Sequence, residues 1–419
     1  MGISINQFRP LTRGLTVAIL LALPARSLAA VPAANQTAVT NGLAYLTSQQ
    51  QADGQISGFS GINPWALMAY TASGQANTNL RAYLLAHPPT AGATATDWEK
   101  GILALVADGQ NPYNAGGTNY VTGLKSLHTA GQLGSASAVN DDAFGVLALY
   151  AAKVPAPDPA FADALDFLLD HQLASGGFSY SATAASPDVD DTAAALMAIQ
   201  AAQTAGSTDS RLAAAKISAR AYILGTQNAD GGFPYDPLTP PEWGGNASNL
   251  STTAWVISAL NSIGEGGSSA GTNAQNYLKA GQTANGSFPY QSGAGDTFDT
   301  SYVVLALSGA GWPVAVYDGQ VPTTEPAAVT ATPTPVPSAS PAPSPSATPQ
   351  ASTTPSPSAS PTPTPQTGSV LGASSGGAGL GNLPGVGMLG SATGLVIASL
   401  LAIGTYLGIS LWRRRQARI

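Results

Sequence analysis

Six related apolar segments run through the chain: Asn63 to Tyr70, Trp98 to Leu105, Asp142 to Leu149, Thr192 to Ile199, Thr253 to Leu260 and Thr300 to Leu307. Their ends lie 35, 44, 50, 61 and 47 residues apart, the spacing of a stacked structural repeat. In this register one column is alanine six times, at Ala69, Ala104, Ala148, Ala198, Ala259 and Ala306. Three residues on, Ala72, Ala107, Ala151, Ala201, Ser262 and Gly309 are small again. Leu, Ile, Val and Met fill the positions between, so these helices are apolar on nearly every side and must be buried. The more polar segments before them carry a recurrent aromatic residue: Tyr45, Tyr83, Phe167, Tyr222 and Tyr277. The pattern predicts an all-α domain over residues 31–320, with twelve helices in an inner and an outer ring.

The loops support this reading. Gln172 to Phe178, Gln227 to Phe233 and Gln282 to Phe288 each place a glutamine ahead of a glycine turn and a phenylalanine, and Gln51-Ala52-Asp53-Gly54 is a weaker copy. Glycine supplies the left-handed conformation that stops a helix. These loops, followed by an acid-Thr helix start, make residues 35–315 resemble the prenyltransferase and squalene-oxidase repeat superfamily, the αα-toroids of terpene cyclases, protein prenyltransferases and corrinoid transporters. The resemblance implies an (α/α)6 toroid. It implies no single activity, because such toroids catalyse in some members and carry ligands in others.

Asp188-Val189-Asp190-Asp191-Thr192-Ala193 resembles the Asp-x-Asp-Asp motif with which class II terpene cyclases protonate an alkene or epoxide. By that resemblance Asp190 is the proton donor, with Asp188 and Asp191 shaping its surroundings. Such a donor must stay protonated and shielded from water. A structural reading competes with it. The positions matching Asp191 are Asp97, Asp141, Thr252 and Asp299, which read as helix N-caps accepting backbone N–H groups. On that count only Asp188 and Asp190 exceed what capping requires. Carboxylates across the rim, Asp190 or Asp191 with Asp299 or Asp141, are also the type of pair used in glycoside cleavage.

Four residues before the alanine column stand Trp65, Lys100, Phe144, Ala194, Trp255 and Tyr302. If that face points to the toroid axis, Trp65, Phe144, Trp255 and Tyr302 wall a cup rimmed by Asp141 and Asp299, with Trp243 on the long loop from Asp236 to Asn249 folding over it. The cup would take a small apolar ligand or a glycan; ordinary core packing is the alternative. No metal or cofactor is expected. The chain has no cysteine, which removes disulfides, thiolate metal sites and the zinc site of a protein prenyltransferase. His87, His128 and His171 read as residues near outer-helix ends rather than ligands.

The two ends point to export. Residues 1–30 have the layout of a secretory signal, with Arg9 and Arg13 ahead of the apolar run Leu15 to Leu23. Residues 321–367 are a Pro/Ser/Thr-rich stalk and 368–393 a Gly-rich linker. Residues 394–412 form a 19-residue uncharged run, about the length that spans a bilayer. The basic tail 413–419 follows and predicts a cytoplasmic C-terminus with the toroid outside. Leu383-Pro384-Gly385-Val386-Gly387 is placed like a sortase signal but has Val386 where threonine is needed, so membrane anchoring is expected and wall attachment is the alternative. Residues 31–320 carry a net charge of −13, which excludes nucleic acid as partner. The sequence therefore points to a surface-anchored module that binds a ligand or surface partner. A class II cyclase-like enzyme using Asp190 and a structural or adhesive domain are the alternatives.

Overall fold

The computed structural model describes residues 30–57, 60–129, 131–238 and 246–322. The expected signal segment 1–30 as far as residue 29, Trp243, the expected stalk from residue 323, the expected linker, the apolar run 394–412 and the basic tail lie outside the described residues. Among those described, no helix is long and apolar enough to cross a membrane.

Twelve α-helices are described. In chain order they are α1 (Gln36–Ser48), α2 (Asn63–Ala72), α3 (Thr78–Ala86), α4 (Ala95–Ala107), α5 (Tyr120–Lys125), α6 (Val139–Ala151), α7 (Pro159–Asp170), α8 (Val189–Thr204), α9 (Leu212–Leu224), α10 (Leu250–Ser262), α11 (Ser269–Ala280) and α12 (Thr297–Leu307). The even-numbered helices pack each against the next, and α12 packs back on α2, so the inner ring closes. Each odd-numbered helix packs outside the inner helix before it, while α1 packs on α12. The first helix of the chain therefore completes the last pair. All six residues of the alanine column are buried, as close approach of neighbouring inner helices requires.

The glutamine loops join one repeat to the next. Gln172 Nε2 donates to Gly176 O at 2.8 Å and to Ala215 O on α9 at 3.0 Å. Gln227 repeats this with Gly231 O and Ala270 O, both at 2.9 Å. Gln282 donates to Gly286 O and, across the chain closure, to Ala38 O on α1, again at 2.9 Å. The first copy has a different register from the one the sequence suggests. Gln50, not Gln51, reaches Gly54 O, at 2.7 Å, because the bond needs a separation of four residues. The turn glycine itself sits at positive φ against the backbone of the next outer helix. At Gly286 φ is +89°, and a Cβ there would lie 2.5 Å from Asn41 O.

Two features of Gly286 make its replacement costly: the left-handed backbone and the contact with α1. Gly293 has a similar φ of +93° with nothing within 4 Å of a Cβ. Gly286→Ala is therefore expected to destabilise the toroid by about 1–3 kcal/mol more than Gly293→Ala, measured by denaturant unfolding of both variants.

Candidate functional site

The first turn of each inner helix faces a returning loop, and one hydrogen bond recurs there. Asn63 Oδ1 accepts the Ile56 N–H at 2.7 Å, and Asp142 Oδ1 accepts that of Leu133 at 2.8 Å. Thr192, Thr253 and Thr300 Oγ1 accept those of Phe178, Phe233 and Phe288 at 2.8, 2.9 and 2.9 Å. All ten residues are fully buried. A buried N–H left without an acceptor is costly, so the first position of the apolar segment is polar in five of the six repeats. In α4 Trp98 stands there instead, packed on Tyr120 with ring centroids 5.7 Å apart.

This geometry reassigns the acidic motif. The N-caps are one helical turn earlier than the sequence alignment places them. Asp188, Asn249 and Asp296 cap α8, α10 and α12, accepting from the amides of Asp191, Thr252 and Asp299. Asp191, Thr252 and Asp299 are thus the donors' residues, not the caps, and in α4 Thr94 is the cap with Asp97 completing a capping box. The alignment matched identical residue types but could not tell the cap from the third helical position, since aspartate suits both. Asp188 and Thr192 therefore belong to the repeat's own architecture. Asp190, half-buried, is the motif acid with no carboxylate counterpart, as Thr96, Asn140, Ser251 and Phe298 occupy its column in the other repeats that align there.

Burial raises the carboxyl pKa of Asp188, with the Asp191 charge adding to it. Burial also raises Asp191, while its hydrogen bond to Asp188 opposes the shift. A second acidic group lies between α4 and α6, which the sequence reading passed over. Glu99 is fully buried, and neither carboxyl oxygen has a hydrogen-bond partner. Burial, followed by the charges of Asp141 and Asp142, holds it well above the ordinary carboxylate range. Burial pushes Asp142 up to about 8. Asp141 accepts from Ser135 N at 3.0 Å and Thr96 Oγ1 at 3.2 Å. A glutamate inside a buried helix was the available signal for Glu99.

The four aromatic residues of the proposed cup are brought together, Trp65 and Phe144 buried, Trp255 and Tyr302 partly buried. Trp65 stands 5.9 Å from Phe144, 5.7 Å from Trp255 and 5.4 Å from Tyr302 between ring centroids. Trp312, which follows α12, enters the same cluster at 5.3 Å from Trp65 and 5.4 Å from Trp255. Its backbone N–H is held by Ser262 Oγ at 2.7 Å, and further on Tyr317 N donates to Ala151 O at 2.7 Å. The segment thus runs from α12 to the end of α6, across the ring. A cavity of about 460 Å³ remains beside it, lined by Ala72, Ala201, Ser262 and Gly309 of the second small column. Trp312 lay past the aligned segments, so the repeat gave no sign of it. Another cavity, about 410 Å³, lies between α2, α3 and α4, and a smaller one of about 160 Å³ lies beside His171. Asp188, Asp190 and Asp191 line none of these three. Among the described residues no group of three or more histidine or acidic side chains could hold a metal ion.

The raised carboxyls give a pH dependence with a definite sign. The folded state keeps the Asp142 proton, whereas the unfolded chain releases it above about pH 4. Stability from this group is full below that pH and is lost as pH rises towards about 8. Asp142→Asn keeps an acceptor for Leu133 N and cannot ionise. We expect it to exceed the wild type in stability by about 1–3 kcal/mol at pH 8, with the gap closing towards pH 4, in urea unfolding at both pH values.

Residues 136–239 match the family model of the squalene-hopene cyclase C-terminal domain. Among solved structures the chain is similar to ent-copalyl diphosphate synthase from Streptomyces platensis, at 21% identity and a TM-score of 0.44, over 59% of this chain and 50% of that one. It is also similar to a type II terpene cyclase from Scytonema in complex with geranylgeranyl dihydroxybenzoate, at 14% identity and a TM-score of 0.47, over 65% and 96%. A polysaccharide lyase is similar at 9% identity and a TM-score of 0.49, over 66% and 97%. The chain thus spans half the length of the Streptomyces enzyme. No curated protein matches it in sequence. The closed ring, the glutamine loops and the matched segment are features in which this toroid resembles the prenyltransferase and squalene-oxidase repeat superfamily.

Proposed function

We propose that the chain is an exported, membrane-tethered toroid that binds a ligand or surface partner without transforming it. The observation that carries this reading is the occupied axis. Five aromatic side chains, Trp65, Phe144, Trp255, Tyr302 and Trp312, pack with centroids 5.2–6.1 Å apart where a substrate would otherwise lie. Offset and edge-to-face contacts at these separations are stabilising packing. The placement of Asp188 and Thr192 in the scaffold supports the same reading, because both side chains serve the fold. Export and anchoring rest on the signal-like residues 1–30, the stalk and the run 394–412.

A second reading, a class II cyclase with Asp190 as acid, is favoured by one observation: burial raises both Asp188 and Asp191. Alkene protonation needs a carboxyl kept protonated, and the burial that raises these two acids acts beside Asp190. The two readings separate in one assay. The full chain in detergent is incubated with squalene and with geranylgeranyl diphosphate, and extracts are analysed by mass spectrometry, for the wild type and Asp190→Asn. The binding reading predicts no cyclised product from either protein. Product from the wild type that falls by about 100-fold or more in Asp190→Asn would establish the cyclase instead. Truncation before Gly394 is expected to move the protein from the membrane fraction to the medium, detected by immunoblotting.

A further inference from the structure

The inner ring carries a single cation among its six helices, Lys100 on α4, and that cation borders the cavity of about 410 Å³ between α2, α3 and α4. Its side chain is 15% exposed, and its nearest charged partner, Asp97 Oδ1, is 3.8 Å away. Among the described residues no hydrogen bond from its ammonium is formed. Glu99 beside it is fully buried, and burial raises its carboxyl pKa. Burial lowers the Lys100 pKa, with Asp97 and Glu99 opposing the shift, because the ammonium gives up hydration that its neighbours replace only in part. A cation taken from water in this way is stabilised by an anion that forms direct hydrogen bonds to it.

The rest of the wall is suited to a flat body. Pro64, Tyr83, His87 and Tyr120 line the cleft together with Asp97 and Lys100. Tyr83 is stacked on His87, with centroids 4.2 Å apart, and the His87 ring is fixed by Nδ1 to Tyr83 O at 2.8 Å. Tyr83 and His87 thus place stacked aromatic rings in the same cleft as Lys100. The Asp97 carboxylate, half exposed, is placed to accept from hydroxyl or amide groups of an occupant.

We propose that this cleft binds a small ring-bearing carboxylate, its carboxylate on Lys100 Nζ and its ring against Tyr83. A uronic acid and an aryl acid share this chemistry. The site lies apart from residues 188–191, so the inference holds whether or not those residues are catalytic.

The test titrates the full chain in detergent with glucuronate and glucose, and separately with benzoate and benzamide, by calorimetry. One acid is expected to bind saturably, about ten-fold or more tighter than its neutral counterpart, and the pair that shows the difference identifies the source. Lys100→Met is expected to abolish that preference, while Tyr83→Ala weakens acid and neutral counterpart alike. Equal binding of acid and counterpart, unchanged preference in Lys100→Met, or no saturation by either acid overturns the proposal. Should Lys100→Met not fold, the ammonium resonance of Lys100 in 15N-lysine-labelled wild type serves instead: its pKa rises on binding if the proposal is right and stays fixed if it is wrong.

Discussion

The toroid depends on one buried hydrogen bond made five times. A residue in the first turn of an inner helix, Asn63, Asp142, Thr192, Thr253 or Thr300, accepts the N–H of a buried loop residue. The loop can then bring its buried side chain, Phe178, Phe233 or Phe288 in three repeats, under the helix start. That placement sets the position of the turn glycine, and the glutamine before it reaches the next outer helix. Each repeat is thereby tied to its neighbour. Gln282 and α1 carry the same tie across the chain ends, so the ring closes without a covalent link.

Much of this was legible in the sequence. The alanine column, the small column and the glutamine loops are local patterns of period and composition, and they fixed the helix count and the two rings. What could not be read was how the patterns meet. Aspartate is equally suited to the cap and to the third helical position, so the alignment assigned capping to Asp191, Asp97 and Asp299 when Asp188, Thr94 and Asp296 do it. One residue of register separated Gln51 from Gln50. Trp312 belongs to no repeat, and only the three-dimensional path of the segment after α12 brings it to the axis. Glu99 was visible as a charge in an apolar helix, but its neighbours Asp141 and Asp142 lie on the next inner helix.

These particulars bear on function through the same interactions. A motif that resembles catalytic machinery is here largely made of parts that recur in other repeats: a side-chain cap, as at Asn249 and Asp296, and a latch. The aromatic column that resembles a ligand cup meets on the axis and is completed by Trp312. Burial raises the carboxyl pKa of Glu99, Asp142 and Asp191 on α4, α6 and α8, and of these Asp142 serves as the acceptor where threonine serves elsewhere. Lys100, with Asp97 3.8 Å away, borders the cleft in which we propose an anion binds.

The account's central claim is that the five latched amides hold one cooperative ring, with the acidic motif as part of it. Native-state hydrogen exchange at Ile56, Leu133, Phe178, Phe233 and Phe288 tests this most directly. The account predicts that all five exchange only through global unfolding, with one common free energy. Faster exchange at Phe178 alone, through a local opening beside Asp188 and Asp191, would contradict it and mark that motif as a separately mobile site.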